Sequence, residues 1–143
     1  MVLQFCSPDL NDSCFKAKRE FRLLTGIDYS ANAVALGRAL FAQNSNEAHF
    51  EEVDFLDNSS GFLARPENRF DLIIDKGTFD AISLMPCEED SAIDKSEGSA
   101  CMNRIKDVCG RFKRSLLVLC RDDQSQFLIT SCNWTRPELE NLF

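Results

Sequence analysis

Three aspartates stand where an apolar run stops and a turn begins. Asp28 closes Leu23–Asp28, Asp54 follows His49–Val53, and Asp75 follows the run Phe70–Ile74. A carboxylate closing the second strand of a nucleotide-binding half suits the two hydroxyls of a ribose, which need a paired acceptor. An aspartate followed by an aromatic, as in Asp54-Phe55, suits an adenine. The carboxylate would accept from the exocyclic amino group while the ring lies against the π face. In the third stretch, Asp75-Lys76-Gly77-Thr78 follows its apolar run at once. Ligands of open parallel sheets bind beyond the carboxyl ends of the strands, which would put Asp75, Lys76 and Thr78 at the rim of a site. Gly77 lets the backbone turn there without a Cβ clash. Singly, each aspartate reads as a turn cap. At successive strand ends, the three converge on one crevice.

Those strand ends require a layered α/β scaffold, and the hydrophobic pattern supplies one. Val2–Phe5, Leu23–Asp28, His49–Val53, Phe70–Ile74, Leu116–Cys120 and Phe127–Ser131 read as strands. Ser30 is a good N-cap for a helix over Ala31–Gln43, in which Ala33, Val34, Gly37, Leu40 and Phe41 share one side. A short amphipathic helix is expected over Cys14–Leu23. Another should begin at Thr78 with Phe79, Ile82 and Leu84 as its apolar side, and a longer one spans Cys101–Lys113. Thr135-Arg136-Pro137-Glu138 forms a capping box that opens a last helix. Cys6–Ser13, Asn44–Glu47 and Asn58–Asn68 read as loops or turns, and the acidic, Ser-rich Cys87–Ala100 as a mobile surface loop. The order predicts a Rossmann-like, mostly parallel sheet with flanking helices, formed by residues 1–143 as a single, partial domain.

The chain's 143 residues suffice for one core. A net charge of −7 disfavours a nucleic-acid backbone as partner and fits a basic protein or peptide better. No run approaches the roughly 18 apolar residues of a membrane span, and MVLQFCSPDL carries no charged leader region, so neither a membrane partner nor secretion is expected. Seven scattered cysteines without a C-x-x-C pair, beside the single His49, point to reduced, core-filling thiols rather than to a zinc site. No metal is expected.

The segments GIDYS (26–30), EVDFLD (52–57), FDLIIDKGTFDAISL (70–84) and FLITSCNWT (127–135) resemble the seven-strand, S-adenosylmethionine-dependent methyltransferases. More narrowly, they are similar to the elongation factor 1-alpha lysine methyltransferase (methyltransferase-like 10) group. D-K-G-T-F-D-A joined to S-C-N-W-T is the specific part. The resemblance implies S-adenosylmethionine as cofactor and a lysine of elongation factor 1-alpha as substrate. It also implies a cytoplasmic monomer. Carried over by position, Asp28 resembles the ribose-binding acid and Tyr29 a neighbour of the adenosine. Asp54 and Phe55 resemble the adenine contacts. Asp75, with Lys76 and Thr78, resembles the catalytic motif between the methionine end and the substrate lysine, and Asn133 and Trp134 the substrate entrance. A lysine amine has an ordinary pKa of about 10.4, so it must be admitted neutral and aligned.

The sequence departs from that family in one place that matters. A first strand ending in a glycine-rich loop should precede Leu23, because backbone must approach the methionine part closely. Here Val2–Phe5 runs into Cys6-Ser7-Pro8-Asp9-Leu10, and no glycine precedes Gly26. The final strands of the family's sheet are also expected to be missing. A shortened form is therefore expected, and a non-catalytic truncated isoform or binding fragment stays open as the alternative.

Overall fold

The computed structural model describes residues 2–8, 21–42, 48–84 and 97–143. Their strands are β1 (Val2–Pro8), β2 (Phe21–Asp28), β3 (Ala48–Glu52), β4 (Leu72–Lys76) and β5 (Gln126–Thr130). The helices are α1 (Ala31–Ala42), α2 (Gly61–Ala64), α3 (Thr78–Ser83), α4 (Glu97–Leu119) and α5 (Arg136–Leu142). The five strands form one sheet in the order β3-β2-β1-β4-β5. Pairs β2–β3 and β4–β5 are parallel, each joined through helices, as βαβ units require.

The reading of a mostly parallel sheet needs correction at its centre. β1 is antiparallel to both neighbours, pairing Leu3 with Ile27 on one side and with Asp75 on the other. It also continues to Pro8, through residues expected to form a loop. A run of apolar residues specifies a strand without specifying its direction, which is why the sequence pattern could not show this. Because β1 reverses against both neighbours, β2 and β4 still point the same way.

Two further expectations change for one reason. Leu116–Cys120 is not a strand: α4 runs on to Leu119, with Val108, Phe112, Leu116 and Leu119 buried along one side. That spacing of three and four continues the helical stripe, while Leu117 and Val118 face outward. Within Asn58–Asn68, Ser60 caps the single turn α2 and buries Phe62 and Leu63. Short apolar pieces fit either conformation, and tertiary burial decides. The mobile-loop reading of Cys87–Ala100 falls on residues 85–96, outside those described, and Glu97–Ala100 already belong to α4. The helix read over Cys14–Leu23 lies outside them too, except that Phe21–Leu23 open β2. The turn Asn44–Glu47 is likewise not described.

The core lies on one face of the sheet. Ile27 and Ile73 join Phe55, Phe62, Phe79 and Phe112 in a single buried cluster. Phe112 of α4 has 0% exposure and meets Phe55 and Phe79 edge-on, at centroid distances of 4.9 and 5.3 Å. Side chains alternate along a strand, so Phe50, paired with Gly26, projects from the opposite face. There α1 covers it: Phe41 lies 5.1 Å from its ring, and a Cβ on Gly37 would come within 2.7 Å of that ring. Gly37 is thus required for helix and sheet to approach closely.

Phe112 joins α4 to both the turn after β3 and the helix after β4. Phe112→Ala should cost about 3–5 kcal/mol of unfolding free energy by urea denaturation. A loss below about 1 kcal/mol would mean that the ring cluster does not hold these elements together.

Candidate functional site

The shared direction of β2, β3 and β4 brings their carboxyl ends to one edge of the sheet. A cavity of about 540 Å³ opens there, between the ends of β2 and β3 and the flank of α3. The strand side contributes Asp28, Tyr29, Asp54 and Phe55, and the helix contributes Thr78 and Ile82. Of the nine residues singled out in the sequence, five therefore meet in one place. Glu52, Val53 and Ala81 also line the wall and were not singled out. Only Ile82 had been marked, as part of an apolar helix side.

Each lining group is held by identifiable partners. Asp28 is 4% exposed, and its Oδ1 accepts the Ser30 N–H at 2.8 Å. Asp54 is exposed, with one carboxylate oxygen accepting the Leu56 N–H at 2.8 Å. The Asp54–Asp57 turn is pinned from α4. The Ser115 hydroxyl donates to the Phe55 carbonyl, and Arg111 donates to that of Leu56, both at 2.7 Å. Phe55 borders the cavity, but its ring is 3% exposed and committed to Phe112, so it offers an apolar wall rather than a free stacking face. Tyr29 is 64% exposed at the mouth.

Asp75 is not at a rim. It is fully buried, and its two oxygens accept the N–H groups of Thr78 and Phe79 at 2.7 and 2.9 Å. The carboxylate thus seals the start of α3, where Gly77 takes a left-handed turn at φ 78°. Lys76 is exposed and lies away from the cavity wall. The Thr78 hydroxyl is buried on that wall, close enough to Asp75 to favour its charged form, yet in no well-formed hydrogen bond among the described residues.

Asn133 and Trp134 do not reach the cavity. Helix α3 has two sides, and they sit on the other one. Thr78, Ala81 and Ile82 face the cavity, whereas Asp80 and Ser83 hold the Ser131–Trp134 loop. Asp80 accepts the Ser131 hydroxyl and, at 2.8 Å, the Cys132 N–H. The Trp134 indole N–H donates to the Ser83 hydroxyl at 2.9 Å, and its ring packs 5.8 Å from Phe79. Asn133 is exposed. These bonds join the D-K-G-T-F-D-A and S-C-N-W-T segments physically, and Asp80 is the anchoring residue that reading the motifs separately missed.

The described lining is acidic: Asp28, Glu52 and Asp54 contribute carboxylates, and no lysine or arginine stands among the described lining residues. Such a mouth repels phosphates and accepts neutral or cationic ligands rich in donors. No group of acids, cysteines or histidine among the described residues could hold a metal ion. Burial pushes the Asp75 carboxyl above its ordinary range, against the hydrogen bonds from Phe79 and Thr78 that lower it. A carboxyl raised on folding stabilises the fold below its unfolded pKa, and that contribution is lost as pH rises through the folded value. Wild type should therefore lose stability relative to the non-titrating Asp75→Asn variant as pH rises from about 4, near the ordinary aspartate pKa. Urea unfolding at several pH values checks this, and parallel curves for the two proteins would contradict it.

No protein-family profile matches the chain, and no solved structure is similar to it. Curated relatives are. The human protein named EEF1A lysine methyltransferase 2 is 39% identical over 128 residues, covering 89% of this chain and 45% of the human one. Its namesake in Danio rerio is 34% identical over 128 residues, covering 89% and 46%. The Schizosaccharomyces pombe protein-lysine N-methyltransferase efm4 is 35% identical over 122 residues, covering 84% and 43%. The chain thus spans a little under half the length of the curated relatives it matches. Over that shared half, with its motifs and its strand-end cavity, the chain resembles the EEF1A lysine methyltransferases.

Proposed function

We propose that the chain forms the nucleoside-binding part of a protein-lysine N-methyltransferase. In this reading it uses S-adenosylmethionine and acts on elongation factor 1-alpha. One observation carries it: Asp28, Asp54, Phe55 and Thr78 meet in one cavity at the carboxyl edge of the sheet, with no cation among its described lining residues. The relatives' names supply the substrate. The finer fold reading, a Rossmann-like methyltransferase sheet, is supported by the strand order β3-β2-β1-β4-β5. The same reading has a cytoplasmic monomer with no nucleic-acid or membrane partner.

The residues present fit the nucleoside half of S-adenosylmethionine. Asp28 would accept from the ribose hydroxyls, Asp54 from the adenine amino group, and Phe55 with Ile82 would enclose the base between apolar walls. The bound cofactor supplies an electrophilic methyl group to the substrate amine. Asp75 is a positioning residue, since both oxygens are spent on the start of α3. Thr78 is the polar side chain that α3 itself carries on the cavity wall. Alignment and exclusion of water, rather than a strong base, would then supply the acceleration.

Transfer of a labelled methyl group to a lysine of elongation factor 1-alpha tests the reaction. Label in that protein is the expected result, and folded chain that binds the donor but labels nothing would sink the substrate assignment. Asp28→Ala should weaken donor binding by about 10- to 100-fold in calorimetry, the loss of one charged hydrogen-bond acceptor. Unchanged affinity would remove Asp28 from the site.

A further inference from the structure

The central strand bears on which part of a ligand this cavity can grip. In doubly wound sheets the strand at the switch point ends in the ligand crevice. There its glycine-rich turn lets backbone N–H groups approach the charged tail of the ligand. β1 occupies that place in the strand order, between β2 and β4. Its direction is reversed. Leu3 lies level with Ile27 and Asp75, near the cavity edge, while Pro8 lies beside Phe21 at the far edge. β1 therefore ends, at Pro8, on the side of the sheet away from the cavity.

The wall agrees with that geometry. The described lining residues come from the ends of β2 and β3 and from α3, and none comes from β1. The left-handed Gly77 stands outside the described lining. The carboxylate of an amino-acid tail would meet Asp28, Glu52 and Asp54, with no lysine or arginine among the described lining residues to pair with it.

From this we infer that the cavity recognises an adenine nucleoside and does not grip the amino-acid half of a nucleoside-linked amino acid. Free adenosine is then as good a ligand as S-adenosylmethionine, and competes with it. This rests on the nucleoside seat proposed above. The acidic mouth does attract a sulfonium, but that long-range pull between exposed charges is screened at high salt.

The test is calorimetric titration of the full chain with adenosine and, separately, with S-adenosylmethionine, at about 0.5 M salt to screen that pull. Asp28→Ala is run in parallel. The expected result is that S-adenosylmethionine binds no more than about 3-fold tighter than adenosine, with both weakened by about 10-fold or more in the variant. S-adenosylmethionine binding at least about 10-fold tighter would overturn the inference and leave the methyltransferase reading intact. Equal affinities that Asp28→Ala leaves unchanged would place binding elsewhere and overturn it too. Failure of a folded chain to bind either compound would overturn this inference and the nucleoside seat together.

Discussion

The buried Asp75 carboxylate is the interaction on which the site depends. A charged group with no exposure survives only if its oxygens are hydrogen-bonded, and here the first N–H groups of α3 serve that need. The pairing is mutual, because a short helix also needs an acceptor for its opening donors. With Gly77 turning the chain, the arrangement fixes the axis and rotation of a six-residue helix too short to be stable alone. Everything near the cavity inherits that rotation. One side of α3 becomes a wall of the cavity and the other an anchor for the loop after β5.

The second support comes from far along the chain. Ser115 and Arg111 of α4 hold the carbonyls of Phe55 and Leu56, and Phe112 packs between Phe55 and Phe79. A single helical stripe thus fixes both the turn that carries Asp54 and the helix that faces it. The width of the cavity is set by packing against α4 as much as by the sheet. Asp80 extends the same logic to Ser131 and Cys132. A lone aspartate bonded to a turn 51 residues away leaves no trace in local periodicity.

Much of this was legible in the sequence. The runs ending at Asp28, Asp54 and Asp75 marked strand ends, and common direction did bring the first two to one cavity. The third turned inward, because the pattern of residue types cannot tell a carboxylate aimed at a ligand from one aimed at its own helix. Trp134 illustrates the same limit: its indole N–H is satisfied by Ser83 rather than offered to a partner. LLVLC read as a strand because five apolar residues fit either period, and only the neighbours at Val108 and Phe112 settle the matter. Strand direction was the least legible feature, since side-chain alternation is identical whichever way a strand runs.

The reversed central strand also divides the molecule. β2, α1 and β3 form one crossover unit, and β4, α3, α4 and β5 form another. Within the sheet, β1 is their only backbone connection among the described residues. Asp28 and Asp54 belong to the first unit and Thr78 to the second, so the cavity straddles a seam closed within the sheet by a seven-residue ribbon and beside it by α4. Each unit can assemble from contacts close in sequence, whereas the ribbon must bond to both at once. Completion of the binding cleft is thus tied to the docking of that strand together with α4, and local opening at either would loosen the two walls.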